Sequence, residues 1–160
     1  MKKMLITVVI LLTTLFAGCG GGGSTPVPVN VFHTTFTVGA ETKDLSTTRG
    51  FLKFGTNNYD ISYNLVSDVI TKNYLYIRLP GAVSSGKVYS EQEVFLQYYD
   101  AAGTEYRSDT FGSVVTLTVT AWPGMGGYAT GTYSATLKSD AIVPTDAVIT
   151  NGKFDGFIIN

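Results

Sequence analysis

The chain of 160 residues has one cysteine, one histidine and one tryptophan, and only 14% of it is charged. A lone cysteine cannot close a disulfide within the chain, so the fold has to rest on a buried core. Zinc needs several Cys or His ligands, which excludes a structural zinc site. A Ser-His-acid machinery would have to use His33, which sits among Phe32, Thr34, Thr35 and Phe36. No Gly-x-Ser-x-Gly elbow accompanies it, so His33 reads as a strand residue with no catalytic part. Basic residues are few as well. Setting aside Lys2 and Lys3 leaves nine of the 11 basic residues against 12 acidic ones, a net charge of −3. No basic stripe exists to neutralise phosphates, which excludes nucleic acid as a partner. Amphipathic helical periodicity is missing from Val29 onward, and the one long apolar run is N-terminal.

That run extends from Met4 to Phe16, broken only by threonines, after the positive start Met1-Lys2-Lys3. It is short for a membrane-spanning helix, which needs about 20 apolar residues, and it has the build of a secretory signal. The following Leu15-Phe16-Ala17-Gly18-Cys19 resembles a lipobox, with Phe16 where that pattern usually has Leu. The resemblance implies cleavage after Gly18 and a lipid on the Cys19 thiol, the competing reading being an ordinary signal with an incidental cysteine. Several acyl chains on one residue hold far more firmly than one, which binds only reversibly. Gly20 resembles the outer-membrane default in a cell with two membranes. The next residues, Gly20 to Pro28, are glycine-rich and end in two prolines, a tether of roughly 18 Å root-mean-square span. The expected organisation is signal 1–18, lipidated cysteine and tether 19–28, and domain 29–160.

Tyrosine (10), phenylalanine (9) and glycine (18) are prominent, which favours strands and turns. Period-2 alternation predicts strands around Tyr59–Leu65, Leu75–Leu79, Val115–Ala121 and Tyr133–Leu137. Phe51–Phe54 is the expected hairpin partner of the first of these. Val94–Tyr99 and Glu105–Asp109 flank a turn at Asp100–Thr104, and Val88 to Tyr99 reads as one strand. Asn151-Gly152 is a strong turn dipeptide between two closing strands. Eight or nine short strands predict an all-β fold, an antiparallel sandwich or a small barrel, with an immunoglobulin-like sandwich the preferred reading. The segment Gly124-Met125-Gly126-Gly127-Tyr128-Ala129-Thr130-Gly131-Thr132-Tyr133-Ser134-Ala135-Thr136-Leu137, with Ile149-Thr150-Asn151-Gly152-Lys153-Phe154, resembles the C-terminal part of uncharacterised bacterial lipoproteins. That resemblance covers about the last quarter of the chain and implies a sandwich on a lipid anchor, with no activity attached.

Motifs for cofactors fail on inspection. Gly81 to Lys87 has P-loop spacing, but Val88 stands where a Ser or Thr must hold magnesium, and a strand follows instead of a helix. It reads as a hairpin loop. Gly124 to Gly131 has Ala129 at the last glycine of a dinucleotide pattern, so it reads as a tight turn and a close strand approach. Asp100, Glu105 and Asp109 cluster on one hairpin without a calcium-loop spacing, and read as solvated turn charges. No cofactor, metal or catalytic residue is expected.

One positive lead remains. If Leu75, Ile77 and Leu79 face the core, Tyr74, Tyr76 and Arg78 face outward, and the same logic turns Phe95, Gln97 and Tyr99 outward. Should the two strands be neighbours, Tyr74, Tyr76, Arg78 and Tyr99 make an aromatic platform suited to sugar faces, peptides or lipid headgroups, the expected partner being a glycan, a peptide or an envelope protein. The plainer alternative is cross-strand tyrosine pairing that stiffens a sheet. The sequence thus points to a non-enzymatic, membrane-anchored binding or structural module. An envelope polysaccharide hydrolase and a surface protein that assembles with itself or a partner are the alternatives.

Overall fold

The computed structural model describes residues 31–54, 57–63 and 72–159. Cys19, the tether and Leu65 lie outside these residues. Every element among the described residues is a strand. In order they are β1 (Phe32–Val38), β2 (Glu41–Thr47), β3 (Phe51–Phe54), β4 (Asn58–Tyr63), β5 (Tyr74–Pro80), β6 (Val88–Ser90), β7 (Phe95–Tyr99), β8 (Glu105–Arg107), β9 (Val114–Ala121), β10 (Tyr128–Ser139) and β11 (Asp146–Ile159). The fold is all-β, as expected, with eleven strands among the described residues rather than eight or nine.

Hydrogen bonding runs in the order β2-β1-β11-β3-β4-β5-β7-β8-β10-β9-β6, with β10 and β11 also paired. The long strands β10 and β11 therefore serve two layers. Along most of their length they lie between β1 and β9; at their ends β11 reaches β3 and β10 reaches β8. One layer is β2-β1-β11-β10-β9-β6 and the other is β3-β4-β5-β7-β8. All pairings are antiparallel except β11 with β3, which is parallel.

The layers face each other over a core made mostly of alternating side chains, which is why period 2 dominates the sequence. On β9, Val115, Leu117 and Val119 are buried while Val114, Thr116 and Thr120 are exposed. Rings bridge the layers: Phe36 of β1 meets Tyr98 of β7 edge-on with centroids 5.5 Å apart, and Phe154 of β11 meets Phe51 of β3 at 5.8 Å. The buried hydroxyls find partners. Tyr63 donates to the Asp155 carbonyl, and the Thr34 and Tyr133 oxygens are 2.7 Å apart.

Three local expectations are corrected. Asn151-Gly152 is no turn: it lies inside the continuous strand β11, where Asn151 at φ 55° is the extra residue of a bulge. Residues 88–99 form two strands, because β6 pairs with β9 in one layer and β7 with β5 in the other. For the same reason residues 81–87 are a crossing between layers, not a hairpin loop. The glycine-rich segment before β10 is a tight turn, with Gly124 and Gly126 at positive φ. At Gly131 the approach is close: a Cβ there would stand 2.3 Å from the Phe154 ring.

Candidate functional site

β5 and β7 are direct neighbours, so the outward side chains identified in the sequence share one face of the second layer. Three rows cross it. Asp60, Arg78 and Phe95 form one; Ser62, Tyr76, Gln97 and Arg107 the next; Tyr74, Tyr99 and Glu105 the last. Opposite charges fall directly across the β4–β5 ladder, where they reinforce the register. Arg78 grips Asp60 through two bonds, Nε to Oδ1 at 2.9 Å and Nη2 to Oδ2 at 3.1 Å. Arg107 grips Asp109 in the same bidentate manner, at 2.9 and 2.6 Å. Such forks fix a guanidinium plane as well as a charge.

Rings pack edge to face within and between these rows. Tyr76 and Phe95 meet edge-to-face at 5.9 Å, and Tyr74 and Tyr99 at 6.0 Å. The guanidinium of Arg78 lies 5.5 Å from the Tyr76 centroid, and that of Arg107 lies 5.5 Å from Phe95. Tyr76 holds its proton well above the usual phenol range, first because of burial and then because of the Asp60 carboxylate beside it. Arg78 is held more firmly protonated than usual, chiefly by its bond to Asp60. The face therefore presents phenol donors and fixed cations at neutral pH.

Of the four residues singled out, Tyr76, Arg78 and Tyr99 are half-buried and reachable at the surface. Tyr74 is on the same face but only 4% exposed, with its hydroxyl 3.0 Å from Ser62 Oγ. It supports Tyr99 and is covered from solvent. Beside the face lies a groove of about 280 Å³, lined by Arg49, Gly50, Leu52, Asp60, Ser62, Tyr76 and Arg78. Asp60, Arg107 and Arg49 were not recognised in the sequence. Asp60 could be placed outward by alternation, but its pairing with Arg78 depends on a register no local pattern reports.

The first layer also carries grooves. One of about 520 Å³ runs over Thr116, Thr118, Thr132, Ser134 and Lys153. Another, of about 400 Å³, runs over Thr120, Thr130, Thr132, His33, Lys153 and Asp155. They meet at Thr132 and Lys153 and form a shallow trough of hydroxyls. The signal is present in the sequence as threonines alternating with the apolar residues of β9 and β10, a pattern that predicts the strands but not a trough between them. His33 lies at one end, its Nδ1 3.1 Å from Asp44 Oδ1 on an exposed edge.

The turn carboxylates are occupied. Asp100 Oδ1 accepts from the Ala102 and Thr104 amides at 2.8 Å each, Glu105 accepts from Gln97, and Asp109 holds Arg107. Partial burial raises the Asp100 pKa, but the amides around it outweigh that and hold it below the usual range. Among the described residues no group of three or more His, Cys, Asp or Glu side chains is placed to hold a metal ion. Each groove is lined by at most one carboxylate, Asp60 in one and Asp155 in another. Compared with protein-family models, with curated proteins and with solved structures, the chain matches none of them.

Proposed function

We propose that the chain is a bacterial lipoprotein, cleaved before Cys19 and anchored in the cell envelope by lipid on that residue. In a cell with two membranes its address is the outer one, as Gly20 suggests. Its domain acts as a non-enzymatic binding module for an envelope glycan or peptide, taken across the outer face of β4, β5, β7 and β8. The observation that supports this reading is the register of β5 and β7. It sets Tyr76, Tyr99 and Phe95 beside Gln97, Arg78 and Arg107, next to a polar groove. Rings with polar tips and fixed donors suit a ligand that is flat on one side and hydroxylated at its rim. The hydroxyl trough of the first layer favours a second location for the same class of ligand. Polysaccharide hydrolysis would need two carboxyl groups about 5–9.5 Å apart across a cleft, and the three grooves described supply at most one each.

Two measurements test the proposal. Cys19→Ala should move the protein from the membrane fraction to the soluble one; a variant that still sediments with membranes refutes the anchor. Thermal unfolding of the domain with envelope polysaccharides and peptides tests the site. A ligand at about 100 times its Kd stabilises by about 2.7 kcal/mol, which raises the midpoint by several degrees. Tyr76→Ala and Tyr99→Ala should abolish that shift, whereas loss on Thr132→Val instead moves the site to the trough. No shift with any of these ligands argues for a structural role.

A further inference from the structure

The strand directions place both ends of the described chain at one end of the sandwich. β1 begins at Phe32 antiparallel to β11, which ends at Ile159, and the turn before β10 closes over the same end. Phe32 touches the Tyr128 ring, Tyr128 touches Phe157, and the Gly126 amide donates to the Ile158 carbonyl at 3.0 Å. This end leaves apolar surface in the open: Val31 and Met125 are 49% exposed, Tyr128 51% and Ile159 37%. The opposite end has an apolar tip too, with Phe111, Ile142 and Val143 still more exposed. The two ends are separated by about the length of β11, 14 residues or roughly 45 Å.

We infer that the end carrying Val31, Met125, Tyr128 and Ile159 is a bilayer-contacting face, resting in the headgroup layer of the membrane that holds Cys19. The inference rests on the anchor proposed above and adds an orientation to it. Eleven residues, Gly20 to Asn30, join Cys19 to Val31 through twelve Cα–Cα steps, which even fully extended reach no more than about 43 Å. The near end is always within that reach, while the far tip meets the bilayer only if the domain lies on its side or inverts on a taut tether. Tyr128 has an apolar ring and a polar tip, the combination that settles at a membrane interface, and the exposed Lys53 of β3 suits anionic headgroups. The far tip then points away from the bilayer, and the trough runs along the flank of the sandwich with His33 at its membrane-proximal end.

Trp122 is the only tryptophan, and it lies at this end against Phe51 and Tyr59, 5.6 and 4.9 Å between centroids. It is the natural reporter. The chain beginning at Cys19 would be coupled through its single thiol to a maleimide phospholipid, in vesicles of phosphatidylglycerol and brominated phosphatidylcholine. That supplies an anchor whether or not a cell lipidates the residue, so failure of the face and failure of the lipobox reading stay distinct. Coupling should quench Trp122 emission, and Val31→Asp with Met125→Asp should remove the quenching while the thermal midpoint holds. Phe111→Asp with Ile142→Asp at the far end should leave it intact. Absence of quenching on coupling, its persistence in the near-end variant, or its loss in the far-end variant alone would overturn the inference.

Discussion

At the scale of single residues, buried hydroxyls set the sharpest constraints. Thr34 Oγ1 is fully buried and bridges the Tyr133 hydroxyl at 2.7 Å and the Lys153 carbonyl at 2.9 Å. Thr34→Val removes both contacts and leaves the Tyr133 hydroxyl unsatisfied, so it should cost about 1–3 kcal/mol in urea unfolding. Adding Tyr133→Phe should recover part of that loss, and a double variant no better than the single one would show that the pair is uncoupled. The same tyrosines govern the alkaline limit. Tyr63, Tyr98 and Tyr133 all have pKa values raised from the ordinary 10, first of all by burial; that of Tyr98 is pushed up to about 12. Because each folded pKa exceeds the unfolded one, the unfolded chain loses its protons first. The stability that these tyrosines contribute is therefore complete below about pH 10 and is lost as the pH climbs from about 10 towards 12. Urea midpoints measured from about pH 8 to about pH 11 should fall only in the upper part of that range, and Tyr133→Phe should make the fall shallower.

At the scale of elements, alternation made the faces of strands legible but not their neighbours. The outward set on β5 and the outward set on β7 follow from period 2 alone, since a strand has only two faces. Their adjacency does not, because β6 lies between them in sequence and leaves for the other layer. β2 escaped notice for a different reason: Glu41–Thr47 has one apolar side chain, Leu45, and is held as an edge by β1. Asn151-Gly152 misled because the left-handed conformation that makes Asn-Gly a turn also makes it a bulge, and local chemistry cannot tell the two apart. Here the choice falls to the flanking strand, since both β10 and β1 pair with β11 on either side of Asn151. Asn151→Gly should leave stability nearly unchanged, because glycine adopts φ 55° without strain. Asn151→Val forces a β-branched residue into the same conformation and should cost about 1–2 kcal/mol, read as a lower denaturant midpoint at constant m-value. Equal midpoints for the two variants would mean that the bulge slides or straightens instead.

At the scale of the whole molecule, the sheet order closes on itself through β10 and β11, but among the described residues it still has two ends, β2 and β6. An open edge offers unpaired amides and carbonyls to a second chain, so its composition decides whether the protein associates. β6 has only three residues, too few to template a long ladder. β2 has seven, but it carries Glu41, Lys43 and Asp44, with Lys43 bonded to Glu41 and to Asn73 Oδ1 at 3.2 Å. A second copy of β2 laid antiparallel against the first would bring these charges into a ladder and strip them of water, a penalty that charges on an edge strand commonly impose. The domain should therefore scatter light as a monomer across concentration, which counts against assembly through this edge. Glu41→Val with Asp44→Val removes the barrier while leaving the β1–β2 register in place, and should produce concentration-dependent association. If the unchanged domain already associates and the double variant does so no more strongly, the contact lies elsewhere, and the exposed tip at Phe111 and Ile142 becomes the surface to change next.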